Sequence, residues 1–201
     1  MTIIATKALQ NSARRTATCA VLGGVLQLAG VHGEWVFDPQ KSDGTVTNPL
    51  VFSLLLIATI AGTGSLLAAL FGLRVMHDAA NVPLSRPGRI GLRLSIAANV
   101  LLLGFAGIVL GTALVSDAPA EASFVLFGLG MLLAVVGYAM LAGGLRRSGV
   151  VGGAWLAPAV AALGIICALV VPIDPWHDIG LYTSYAAWIW FGVLLGRHRT
   201  R

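Results

Sequence analysis

Two short stretches of the sequence hold side chains able to do chemistry: "VHGEWVFD", with His32, Glu34 and Asp38, and "PIDPWHD", with Asp174, His177 and Asp178. Imidazole and carboxylate together make a ligand set for zinc, or a general acid and base pair. On a helix, Asp174, His177 and Asp178 stand at i, i+3 and i+4 and share a face. His32 and Glu34 are two apart and point alike only if the chain is extended there. The metal-ligand candidates are therefore His32, Glu34, Asp174 and His177, and the catalytic candidates are His177, Asp178 and Glu34. Their spacing matches no standard signature. A composite site requires the two stretches to meet in space.

Helix-start chemistry competes for the same residues. Asp174 can accept the orphan amide hydrogens of a first turn as N-cap, and Pro175 then stands at N1, where a missing N–H costs nothing. Asp178 still lies in the first turn, at the positive end of the helix dipole. The pattern recurs in "NP" at Asn48 and Pro49, and in "SDAPAE", with Ser116 or Asp117 as cap before Pro119 and Glu121. Trp35 and Trp176, with Tyr182 and Tyr185, suit an interfacial aromatic belt. His32 and His177 are left without a structural need. His77 and Asp78, in "MHDAANVP", read as the end of a helix before Pro83.

The elements that must position these residues follow from composition. The 201 residues are 57% hydrophobic and 10% charged, against about 45–50% apolar and about 25% charged in soluble domains. Apolar runs of about 18 residues or more cross a hydrocarbon core about 30 Å thick. Six such runs occur, at residues 16–36, 49–75, 90–115, 122–145, 150–173 and 179–196. The expected fold is all-α: a polytopic integral membrane protein forming one bundle of six transmembrane helices over residues 1–201, with no soluble domain. The first run follows a basic segment but has no small-x-small cleavage site, so it is expected to be retained as a helix. "ALFGLR" before "GRIG" echoes "LAGGLRR" before "GVVG", which raises a duplicated helical hairpin as a second expectation. In composition and topology the chain is similar to many short bacterial six-helix membrane proteins, a likeness that transfers no residues.

Charge orients this array. Every Lys and Arg except Lys41 falls on the side of the N-terminus, together with Asp78 as the one acid there. The other acids, Glu34, Asp38, Asp43, Asp117, Glu121, Asp174 and Asp178, fall on the other side. Such a split predicts both termini in the cytoplasm and a plasma or inner membrane location. The net charge of +5 then reflects topology and anionic lipid, with no nucleic-acid partner expected.

No Asp, Glu, Lys, Arg or His falls in the middle of a run. Charges at depth usually serve ions or protons, so their absence argues against an ion-coupled transporter. It argues equally against haem b, which needs axial histidines within helices. No cofactor is required by the residues present. Gln27, Ser65, Asn99, Thr112 and Tyr138 remain as polar groups at depth, and Gln27 and Asn99 should each find a partner on a neighbouring helix. They serve either as hydrogen-bond glue or as the polar lining of a pocket. Close helix packing is expected at Gly107 and Gly111 in the third run, at Ala157, Ala161 and Gly164 in the fifth, and at Gly62 and Ser65 in the second. Trp188 and Trp190 should face lipid or a neighbouring helix.

The expectation is a non-catalytic multi-pass protein: an accessory or assembly subunit, or a lipid-binding partner of a membrane complex. Its partners would be membrane lipids and a membrane protein. One alternative is an outer-leaflet enzyme acting on a lipid or isoprenoid through the histidine and carboxylate residues. Another is a small transporter or channel for a neutral solute.

Overall fold

Backbone amides in lipid must find partners within their own segment, so long apolar runs fold as helices. The computed structural model describes residues 3–37, 47–113, 124–170 and 176–197. It contains α1 (Ile3–Phe37), α2 (Pro49–Ala80), α3 (Arg86–Ala113), α4 (Phe124–Ser148), α5 (Leu156–Val170) and α6 (Trp176–Arg197). A 3-10 turn, Gly152–Trp155, leads into α5, and no strand occurs among the described residues. All six helices are long and apolar enough to cross a membrane.

Most helices extend past the apolar runs that announced them. α1 starts at Ile3 instead of residue 16 because the preceding residues, rich in Ala, Leu, Lys, Gln and Arg, are good helix formers. Leu9, Ala13 and Thr16 on this extension are buried against the bundle. Asn48 caps α2 as expected: its Oδ1 accepts from the Val51 amide at 3.2 Å, with Pro49 in the first turn. Residues 116–121 and 171–175, which hold the other expected helix starts, lie outside the described residues. The turns α2–α3 and α4–α5 both begin with a left-handed residue, Asn81 (φ 52°) and Gly149 (φ 65°). They then diverge, one through Pro83 and the other through a second positive φ at Gly152.

Each helix packs antiparallel on the next in sequence, and α6 packs on α1, closing a ring. Both ends of the described chain therefore lie at one end of the bundle. That end gathers every described arginine, from Arg14 and Arg15 through Arg74, Arg86, Arg89, Arg93, Arg146 and Arg147 to Arg197. We call it the basic end. Inside the ring, Leu66, Leu70, Leu73 and Met76 of α2 meet Leu141 and Leu145 of α4 and Phe191 and Leu195 of α6. Outside it, Leu54, Val100, Leu132 and Leu163 are more than half exposed. Apolar surface on every outward face suits a lipid surround.

Helix pairs approach closely through glycine. A Cβ on Gly88 of α3 would lie 2.8 Å from the Cα of Gly144 on α4, and one on Gly164 of α5 would lie 2.5 Å from the Gly180 carbonyl of α6. Ala157, Ala161 and Gly62 are likewise buried at helix contacts. Gly107 and Gly111 depart from expectation: both are exposed, with nothing within 4 Å of an added Cβ. The motif sits on the face of α3 turned away from the ring. Trp188, expected to face lipid or a neighbouring helix, takes the second course and fills the middle of the bundle. It is 1% exposed and packs edge-on against Tyr138 (centroids 5.2 Å apart) and Phe191 (5.5 Å), whereas Trp190 on the other face is 39% exposed.

Candidate functional site

At the end opposite the arginines, α1 and α6 run side by side. His32 on α1 faces Tyr182 on α6, with Nδ1 and the phenol oxygen 3.4 Å apart and ring centroids at 6.3 Å. His32 is exposed, and Asp178, in the first turn of α6, is half-buried. Glu34 belongs to α1 and His177 to α6, but their side chains lie outside the described residues, as do Asp38 and Asp174 altogether. Among the described residues, no three His, Cys, Asp or Glu side chains gather as a metal would require. The chain is helical through residues 32–34 and not extended, which removes the backbone condition for His32 and Glu34 to act together.

The two costly interior polar groups each reach a neighbouring helix. Asn99 of α3 donates from Nδ2 to the Tyr138 hydroxyl of α4 at 3.0 Å and to the Ser95 carbonyl at 2.8 Å. Gln27 of α1 donates from Nε2 to the Thr63 hydroxyl of α2. That direction is set by Thr63, whose own proton goes to the Thr59 carbonyl at 2.9 Å, leaving the oxygen to accept. Gln27 Oε1 is then left buried with no hydrogen-bond partner, and the side chain is only 4% exposed. An unmet acceptor at this depth costs about 1–3 kcal/mol.

The Gln27 side chain lines a cavity of about 290 Å³ in the half of the bundle away from the arginines. α1, α2, α3, α4 and α6 all contribute. Phe105 packs against Phe124 and Phe127 (centroids 5.5 and 5.1 Å), and with Phe52, Leu56 and Met131 they make the wall apolar. Its polar groups are Gln27, Thr59, Thr63 and Tyr185, and no charged side chain is among the described lining residues. Tyr185, expected in an interfacial belt, thus faces inward. A smaller void of about 30 Å³ continues from Gln27 to Asn99, Tyr138 and Trp188. Trp188 Nε1 has no hydrogen bond of ordinary geometry, although the Tyr138 hydroxyl lies beside it. Such a place can bind and orient a neutral molecule; it offers no acid–base pair.

Sequence reasoning underrated His77. It is 3% exposed, with Nδ1 donating to the Leu73 carbonyl at 2.8 Å and Nε2 meeting Ser148 Oγ of α4 at 3.0 Å. The signal was there: His77 continues the buried stripe Thr63, Leu66, Leu70, Leu73 of α2 at three- and four-residue spacing. Thr63, next to Gly62 in the chain and on the same stripe, was missed as well. Comparison of the chain with protein-family models, curated proteins and solved structures finds no match.

Proposed function

We propose that the protein is a non-catalytic, lipid-binding component of a plasma or inner membrane, with both termini cytoplasmic, that holds a neutral amphiphile for a membrane complex. The observation that carries this reading is the buried, unpartnered Gln27 Oε1 on the wall of an apolar cavity of about 290 Å³. An acceptor calls for a donor, so the fitting ligand is an apolar molecule with a hydroxyl, its hydrocarbon part against Phe52, Phe105 and Phe127. The volume is near the small end of ligand pockets, about 300 Å³, and suits a short molecule or one end of a long one. Trp188 and Phe191 fill the axis beyond the cavity, which favours a binding protein over an open channel.

The pairing of α1 with α6 at His32 and Tyr182 favours a second reading, an outer-leaflet enzyme using His32, Glu34, His177 and Asp178. One experiment separates the two. Protein purified in mild detergent is extracted, and its small molecules are quantified by mass spectrometry against bulk membrane. A neutral hydroxyl-bearing lipid should be enriched with wild type and fall up to about tenfold with Gln27→Leu, the worth of one hydrogen bond. His32→Ala and Asp178→Ala should leave it unchanged. Equal lipid in wild type and Gln27→Leu would sink the proposal; accumulation of an altered lipid with His32→Ala would favour the enzyme.

A further inference from the structure

A second concavity lies at the opposite pole of the molecule and has a different chemistry. It occupies about 320 Å³ where the last turns of α2 meet the start of α3. Arg74 lines it from α2, and Arg89 and Arg93 line it from α3. The latter two are four residues apart and share a helix face. Its floor is apolar, made by Pro83, Leu84, Leu92 and Ile96. All three arginines are exposed, and among the described residues none of them forms an ion pair. Asp78 also lines the pocket, so three guanidiniums face one carboxylate. His77 is a wall and no ligand, because both ring nitrogens are engaged by Leu73 and Ser148.

We infer that this pocket is a binding site for a phosphate group, held by Arg74, Arg89 and Arg93 where the bundle leaves the hydrocarbon. A guanidinium presents a planar fork that fits phosphate oxygens two at a time, and several in one concavity exceed what a solvated surface needs. A general excess of arginine at this end explains their number but not their convergence. Arg146 and Arg147 carry the same bias without lining the pocket: Arg146 instead stacks over Trp155 at 5.1 Å. The apolar floor continues along α3 through Leu92 and Ile96, so a phosphate tethered to acyl chains fits as a free one does. The site stands apart from the neutral cavity, and either can fail without the other.

The test uses the full chain in phosphatidylcholine nanodiscs, with two probes. Phosphatidylglycerol is added to the nanodiscs and its retention counted by native mass spectrometry; inorganic phosphate is titrated by calorimetry. Binding of at least one probe should fall about tenfold or more with the double variant Arg89→Gln/Arg93→Gln, since each arginine near an anionic headgroup contributes appreciably. Arg74→Gln, on the opposite wall, should weaken it in the same direction. Arg147→Gln should change it less than about twofold. Retention of phosphatidylglycerol alone assigns the site to a lipid headgroup, and binding of phosphate alone assigns it to a free anion. The inference is overturned if neither probe binds, if the double variant binds as wild type does, or if Arg147→Gln weakens binding as much. An unchanged melting temperature of the exposed-arginine variants keeps loss of fold out of the reading.

Discussion

His77 shows how much one side chain can do at a helix end. The Leu73 carbonyl can only accept, so Nδ1 carries the hydrogen there, and Nε2 is left for Ser148 across the α2–α4 gap. Replacing His77 with alanine removes both bonds and leaves Ser148 without its cross-helix partner, which should lower stability by about 1–3 kcal/mol. Ser148→Ala should cost less. If the two act through one bond, the double variant should melt close to His77→Ala alone; fully additive losses in detergent melts would contradict the coupling. Gln27 and Asn99 were legible as residues needing partners, because a polar side chain in a long apolar run has few alternatives. Their partners were not all legible: Tyr138 stood out in its run, whereas Thr63 did not. Nor could sequence show that the Thr63 proton is taken by Thr59, which is what leaves Gln27 Oε1 unmet.

Between elements, the decisive contacts are those where backbone meets backbone. Gly88 and Gly144 bring α3 and α4 so close that a Cβ on the first would meet the Cα of the second at 2.8 Å. Gly144→Leu should therefore separate the pair and destabilise by about 1–3 kcal/mol. Gly107→Leu, on the open face of the same α3, should be neutral or slightly stabilising, since glycine is a poor helix former by up to about 1 kcal/mol. Melting temperatures of the two variants in one detergent compare them directly, and equal losses would contradict the assignment of faces. The G-x-x-x-G spacing at Gly107 and Gly111 pointed to the wrong stretch of α3. Motif spacing finds a smooth helix face but not the rotation of the helix, which here is set by Gly91, Ser95 and Asn99 turning toward α4.

For the whole molecule, six antiparallel helices put both ends of the described chain on one side, and the proposed orientation sets that side in the cytoplasm. A phosphatase active only outside the cytoplasm should work when fused after Phe37 and fail when fused after Ala80; the reverse pattern would invert the proposed orientation. Length and composition were enough to set six long helices among the described residues, about where they run and the apolar character of their outward faces. The physical reason is that lipid offers the backbone no hydrogen bonds, so each long apolar run must satisfy its own. How the six close into a ring, that Trp188 points to its centre, and that Arg74 joins Arg89 and Arg93 around one pocket emerge only once the helices are packed. Those outcomes depend on the rotation and register of each helix. In lipid these come from short-range fit between particular side chains and glycines, since apolar burial favours no one face over another.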